Sequence, residues 1–204
     1  MKTKITHAPD MIKARDRSKS ETNFLSCSPE HVKELSNMVN GRKYYIHTYG
    51  CQANVRDEET MRGLLELVGY VRTAVPSEAD VIILNTCAVR ENAEDKVYGE
   101  IGNLKKLTHK NKEMVFAICG CVVEEPEILK YLMDKFPEIN LYFGTHEIHY
   151  LIDMIYDVKT NQNRIVFIES KKGEGSKYTI TLPLNIDREA LKSSISAGDK
   201  SKNG

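Results

Sequence analysis

Lys43-Tyr44-Tyr45-Ile46-His47-Thr48-Tyr49-Gly50-Cys51-Gln52-Ala53-Asn54 decides the fold. Lys43 to Thr48 reads as a strand, because its aromatic and β-branched side chains suit a pleated surface. Beyond the Gly50 turn, Met61, Leu64, Leu65 and Val68 follow the i, i+3, i+4, i+7 template of a helix, with Gly69 as its C-terminal stop. Asn54 is expected to cap that helix. Asp57, Glu58 and Glu59 then fall in its first turn, where negative charge is favourable. A cysteine therefore sits on a glycine-containing turn between a strand and a helix, the place where open α/β sheets hold ligands.

The same unit recurs along the chain. Val81-Ile82-Ile83-Leu84 is a continuous apolar run, as expected of a strand buried on both faces, and Asn85-Thr86-Cys87 closes it. Val97, Ile101 and Leu104 mark a second helix. Met114-Val115-Phe116-Ala117-Ile118 is a third strand, ended by Cys119-Gly120-Cys121. Pro126 suits a helix first turn, with Ile128, Leu132 and Phe136 as its stripe. Asn140 to Gly144 is a fourth strand and turn, Ile148, Leu151, Ile152 and Ile155 a fourth helix, and Arg164 to Ile168 a last strand. Each connection has the length of a βαβ crossover. The fold class expected is α/β, a three-layer αβα sandwich with a mainly parallel sheet over residues 41–168. Residues 1–40 mix charges of both signs and are expected to be a flexible extension with one short helix around Pro29 to Met38. Residues 169–204 are expected to be a polar tail.

Composition excludes several classes. Of 204 residues, 41% are hydrophobic and 28% charged, and the formal net charge is +0. A chain binding nucleic acid by its own field would be more basic. No apolar run is long enough to cross a bilayer, so no membrane association is expected. The first residues lack the apolar core of a secretion signal. The five cysteines are an odd number without disulfide-scaffold spacing. A cytoplasmic monomer with free or metal-bound thiols is the expectation.

Cys51, Cys87 and Cys121 follow strands one, two and three. In a parallel sheet the turns after the strands lie along one edge, so the three thiols are expected near one another if the strands are neighbours. Three thiolates suit zinc or iron–sulfur chemistry. A structural zinc would want a fourth ligand, whereas a [4Fe–4S] cluster on three cysteines keeps one exchangeable iron. Thiols that merely pack at strand ends are the competing reading. Cys119 reads as a core thiol or a redox partner of Cys121, and Cys27 as a surface thiol. His146 and His149 read as surface residues at a helix start. Lys105, Lys106, His109, Lys110 and Lys112 read as a solvated basic face. Asn85 and Thr86 either orient Cys87 or only end a strand.

Tyr49-Gly50-Cys51-Gln52-Ala53-Asn54, Asn85-Thr86-Cys87-Ala88-Val89-Arg90-Glu91-Asn92-Ala93-Glu94, Lys96-Val97-Tyr98-Gly99-Glu100-Ile101-Gly102 and Gly120-Cys121 closely resemble the N-terminal domain of the radical-SAM methylthiotransferases. Phe143-Gly144-Thr145-His146, followed by Ile148-His149, and Gln52-Ala53 after the first cysteine, resemble the tRNA branch known as MiaB. The resemblance covers about residues 40 to 157. It implies a [4Fe–4S] cluster on Cys51, Cys87 and Cys121 that supplies sulfur. It also implies methylthiolation of N6-isopentenyladenosine at position 37, beside the tRNA anticodon. In that family S-adenosylmethionine and a second [4Fe–4S] cluster belong to a central domain on a CxxxCxxC motif, and a C-terminal domain grips tRNA. No cysteine follows Cys121 here, so both downstream domains are expected to be absent and this chain alone inactive. Val122-Val123-Glu124 departs from the family's Met-Ala-Gln. Lys172 to Leu184 resembles the closing strands of a histidine kinase ATP-binding domain. The alternatives are a non-catalytic α/β binding module or a truncated-gene fragment.

Overall fold

The structure, a computed structural model, describes residues 27–87, 93–168 and 178–183. Its order is α1 (Pro29–Val39), β1 (Lys43–Tyr49), α2 (Gln52–Leu67), β2 (Val71–Arg72), β3 (Val81–Thr86), α3 (Ala93–Lys110), β4 (Val115–Gly120), α4 (Pro126–Lys135), β5 (Leu141–Phe143), α5 (Leu151–Asn161), β6 (Asn163–Ile168) and β7 (Tyr178–Pro183). These strands form one sheet in the order β2-β1-β3-β4-β5-β6-β7. β1 to β6 pair in parallel, and β7 closes the edge antiparallel to β6. Of the flexible extension expected over residues 1–40, residues 1–26 lie outside the described residues, and the remainder holds α1, whose Leu35 and Val39 are buried in the core. Most of the tail expected after 168 also lies outside the described residues, apart from β7, which hydrogen-bonds into the sheet.

Every position of β3 and β4 is buried. The period-2 alternation of side chains splits them between two cores. Val81, Ile83, Val115 and Ala117 pack with Met61 and Leu65 of α2, Ile152 and Ile155 of α5, and Leu35 of α1. Ile82, Leu84, Phe116 and Ile118 pack with Val97, Ile101 and Leu104 of α3 and Leu132 of α4. Burying both faces is what a parallel sheet demands, and it produces the αβα sandwich. Only a short 3-10 turn, Pro76–Glu78, links β2 to β3. No helix spans that crossover. The second face of β1 carries instead a row of half-buried rings, with His47 stacked on Tyr49 at 4.3 Å and 7°.

Two local expectations are corrected. α2 begins at Gln52 with Cys51 as its N-cap, so Asn54 is its third residue and Asp57 to Glu59 fall in the second turn. Glu58 there accepts a hydrogen bond from Thr48 Oγ1 at 2.7 Å. Cys27 is not a surface thiol. It is 5% exposed, and its Sγ donates to the His149 carbonyl at 2.8 Å. Burial pushes its pKa up. The Ser28 amide and His31 Nδ1 both meet Asp153 Oδ1, at 3.0 and 2.7 Å, which fastens α1 onto α5.

Candidate metal centre

The three motif cysteines lie on one edge of the sheet. β1, β3 and β4 are adjacent, and Tyr49, Thr86 and Gly120 are level in the register. Cys51 stands two residues beyond Tyr49. Cys87 and Cys121 stand one residue beyond Thr86 and Gly120. Cys51 is exposed, Cys121 half-buried and Cys87 buried.

Glycine sets how close these turns approach. A Cβ on Gly120 would stand 2.0 Å from the Thr86 carbonyl oxygen, and its φ of +99° lies in the region glycine favours. A Cβ on Gly50 would stand 2.2 Å from Asn54 Oδ1. In both turns the residue before the cysteine has no side chain because a neighbour already occupies that space.

Beneath the thiols lies a buried polar lattice. Asn54, Asn85 and Thr86 are each 3% exposed or less. Asn85 Nδ2 donates to the Asn54 carbonyl at 2.7 Å, and Asn54 Nδ2 donates to Asn85 Oδ1 at 3.2 Å and to the Thr86 carbonyl at 3.3 Å. Asn54 Oδ1 accepts the Cys51 amide at 3.2 Å and stands 3.5 Å from Cys51 Sγ. Thr86 Oγ1 donates to the Cys119 carbonyl at 2.8 Å, and Cys121 Sγ stands 3.9 Å from the Thr86 carbonyl. The lattice therefore ties the backbones bearing all three cysteines into one unit. Asn85 and Thr86 do more than end a strand. In the sequence Asn54 reads only as a helix cap; in the fold it also holds Cys51 and β3.

Cys119 lies in the core beneath α2. It is fully buried, its Sγ 3.8 Å from Met61 Sδ, and desolvation raises its pKa well above the usual thiol value. This is core packing. His146 is exposed, and His149 is half-buried with its ring against Tyr150 at 4.2 Å. Glu124, just beyond Cys121, accepts the Thr145 amide and hydroxyl at 3.3 and 3.1 Å and links the β4 and β5 turns. The edge aligns the three cysteines without closing them round a point. Among the described residues, no three His, Cys, Asp or Glu are placed as the ligands of one ion. The donor chemistry fits a soft metal or iron–sulfur cluster, since the three sulfurs follow neighbouring strands.

Comparison with known proteins identifies relatives over this region. The model of "Uncharacterized protein family UPF0004" matches residues 43–144, which run from the start of β1 to the turn after β5. The tRNA-2-methylthio-N(6)-dimethylallyladenosine synthase of Shouchella clausii is 42% identical over 172 residues, covering 83% of this chain and 33% of the relative. That of Geobacillus kaustophilus is 40% identical over 174 residues, covering 84% and 32%. That of Bacillus cytotoxicus is 44% identical over 142 residues, covering 70% and 28%. The chain thus spans about a third of the length of these curated relatives. On the match that takes in all three cysteine-bearing turns, the chain belongs to the UPF0004 family, the N-terminal domain of the methylthiotransferases.

Proposed function

We propose that residues 41–168 form the cluster-binding part of a tRNA methylthiotransferase, with Cys51, Cys87 and Cys121 holding a [4Fe–4S] cluster. The observation that carries this reading is the alignment of three cysteines on the level ends of three adjacent parallel strands. When bound, such a cluster would supply sulfur for methylthiolation of N6-isopentenyladenosine in tRNA, through an iron that no cysteine holds. Radical chemistry on S-adenosylmethionine would fall to the two thirds of the relatives' length that this chain does not span.

The chain's own residues have definable tasks. The glycines bring the turns close. Asn54 fixes the backbone of Cys51, and the Thr86 carbonyl faces both Asn54 and Cys121. Thiols must lose their protons to ligate, so loading should release protons and weaken as pH falls. The relatives' names favour this reading over a non-catalytic binding module. No helix among the described residues is long and apolar enough to cross a membrane.

The test is anaerobic reconstitution with iron and sulfide. About four irons per chain and an oxygen-labile brown chromophore are expected. Replacing Cys51, Cys87 and Cys121 together by alanine should abolish both, whereas Cys119→Ala should retain them. Equal iron loading in the triple variant would sink the proposal.

A further inference from the structure

A cavity of about 460 Å³ lies at the other edge of the sheet, before the strands begin. Segments far apart in sequence build it: the residues just before β1, β4 and β5, and the ends of α1, α3 and α5. Its size is that of a small-ligand pocket. Its lining is mixed, with Met38 and Val158 on the apolar side and Arg42, Lys112, Lys159 and Glu138 among the charged groups.

The charges in this cavity are unevenly matched. Arg42 Nη1 stands 3.3 Å from Asp80 Oδ1 and 3.5 Å from Glu113 Oε2. Lys159 has no such partner. Its Nζ donates to the Glu113 carbonyl at 3.2 Å, and among the described residues no carboxylate forms an ion pair with it. Burial, then the nearby Arg42 charge, hold its pKa below the usual lysine value. A half-buried ammonium beside a second cation is costly to keep charged, and an incoming anion relieves that cost. Glu138 Oε2 is also buried and accepts no hydrogen bond among the described residues. A ligand hydroxyl or amine would satisfy it.

We propose that this cavity binds a small organic anion, its phosphate or carboxylate on Lys159 and Arg42, a hydroxyl or amine on Glu138, and its apolar part against Met38 and Val158. The site is separate from the cysteine edge and does not rest on a bound cluster.

Titration of the 15N-labelled full chain with inorganic phosphate and with 2-hydroxybutanoate, at constant ionic strength, tests it. Saturable amide shifts confined to the cavity lining, namely Met38, Arg42, Glu113, Glu138 and Val158 to Gln162, are expected below about 50 mM, well above a millimolar Kd. Saturation by phosphate alone assigns a phosphate ester as the ligand class, and saturation by 2-hydroxybutanoate alone assigns a hydroxy acid. Lys159→Met should weaken binding about tenfold or more, since it removes a charged hydrogen-bond donor. Lys159→Arg should retain it. Lys112→Gln, at the exposed rim, should cost about threefold and leave the fold alone. Shifts that rise without saturation for both probes, or affinities unchanged in Lys159→Met, would overturn the proposal.

Discussion

The two edges of the sheet are built by opposite means. Where the strands end, backbone fits against backbone: Gly120 lies against Thr86, and Asn54 reaches into β3. Where the strands begin, long side chains bridge gaps, as in Lys43–Glu78 at 2.7 Å and Arg42–Asp80 at 3.3 Å. At the first edge Gly50 and Gly120 lie hard against their neighbours. The second encloses a cavity. A site that must fix three thiols needs the stiffness of close backbone contact. A site bordered by long side chains can adapt to what enters it.

Gly120→Ala should break this contrast most severely. The new methyl meets a backbone oxygen in a left-handed residue, so neither partner can give way cheaply. A loss of about 3 kcal/mol or more is expected, with a clear fall in Tm by circular dichroism. Gly63 in α2 has nothing within 4 Å of its Cβ position, and Gly63→Ala should stabilise by about 0.5–1 kcal/mol. If both variants melt like the parent, the cysteine edge is not backbone-limited.

Asn85→Ala sharpens the same contrast at intermediate size. It strips Asn54 of a donor and an acceptor in a buried place, at a cost of about 1–3 kcal/mol in urea unfolding. It should also loosen iron retention more than Cys119→Ala does. Equal retention in the two variants would show that the lattice plays no part in holding the ligand turns.

The smallest effect belongs to the opposite edge and changes only at alkaline pH. Burial, then the Glu66 carboxylate 2.7 Å from its hydroxyl, push the Tyr44 pKa from 10.0 up to about 12. The folded chain thus keeps a proton that the unfolded chain releases first. That stability is present below about pH 10 and is lost as pH rises toward 12. Stability measured across this range should fall less steeply in Tyr44→Phe than in the parent. Parallel curves would remove Tyr44 from the account.

How much of this was legible follows from the same contrast. Val81 to Leu84 announce a strand buried on both faces, and the cysteines mark the strand ends, because both signals are local in sequence. β2 has two residues and no apolar pattern, so nothing in the sequence marks it. Cys27 looks like a surface thiol until α1 is seen packed on α5, over a hundred residues away. The cavity was illegible for the same reason: Arg42, Lys112, Glu138 and Lys159 meet only after folding. Lys112 reads as part of a solvated face, and it sits at the exposed rim of that cavity. The lattice was half legible. Asn85 and Thr86 are marked by standing beside Cys87, whereas Asn54 has only the sequence context of an ordinary cap.

The level register of Tyr49, Thr86 and Gly120 also works as a ruler. Its graduation is the backbone hydrogen bond, which sets neighbouring strands about 4.8 Å apart. Because β3 is buried on both faces, slipping it by one residue would exchange its two sets of core side chains. Changes in the turns can therefore raise or lower a thiol above the sheet, but the sideways pitch between Cys51, Cys87 and Cys121 is dictated by the strands beneath them.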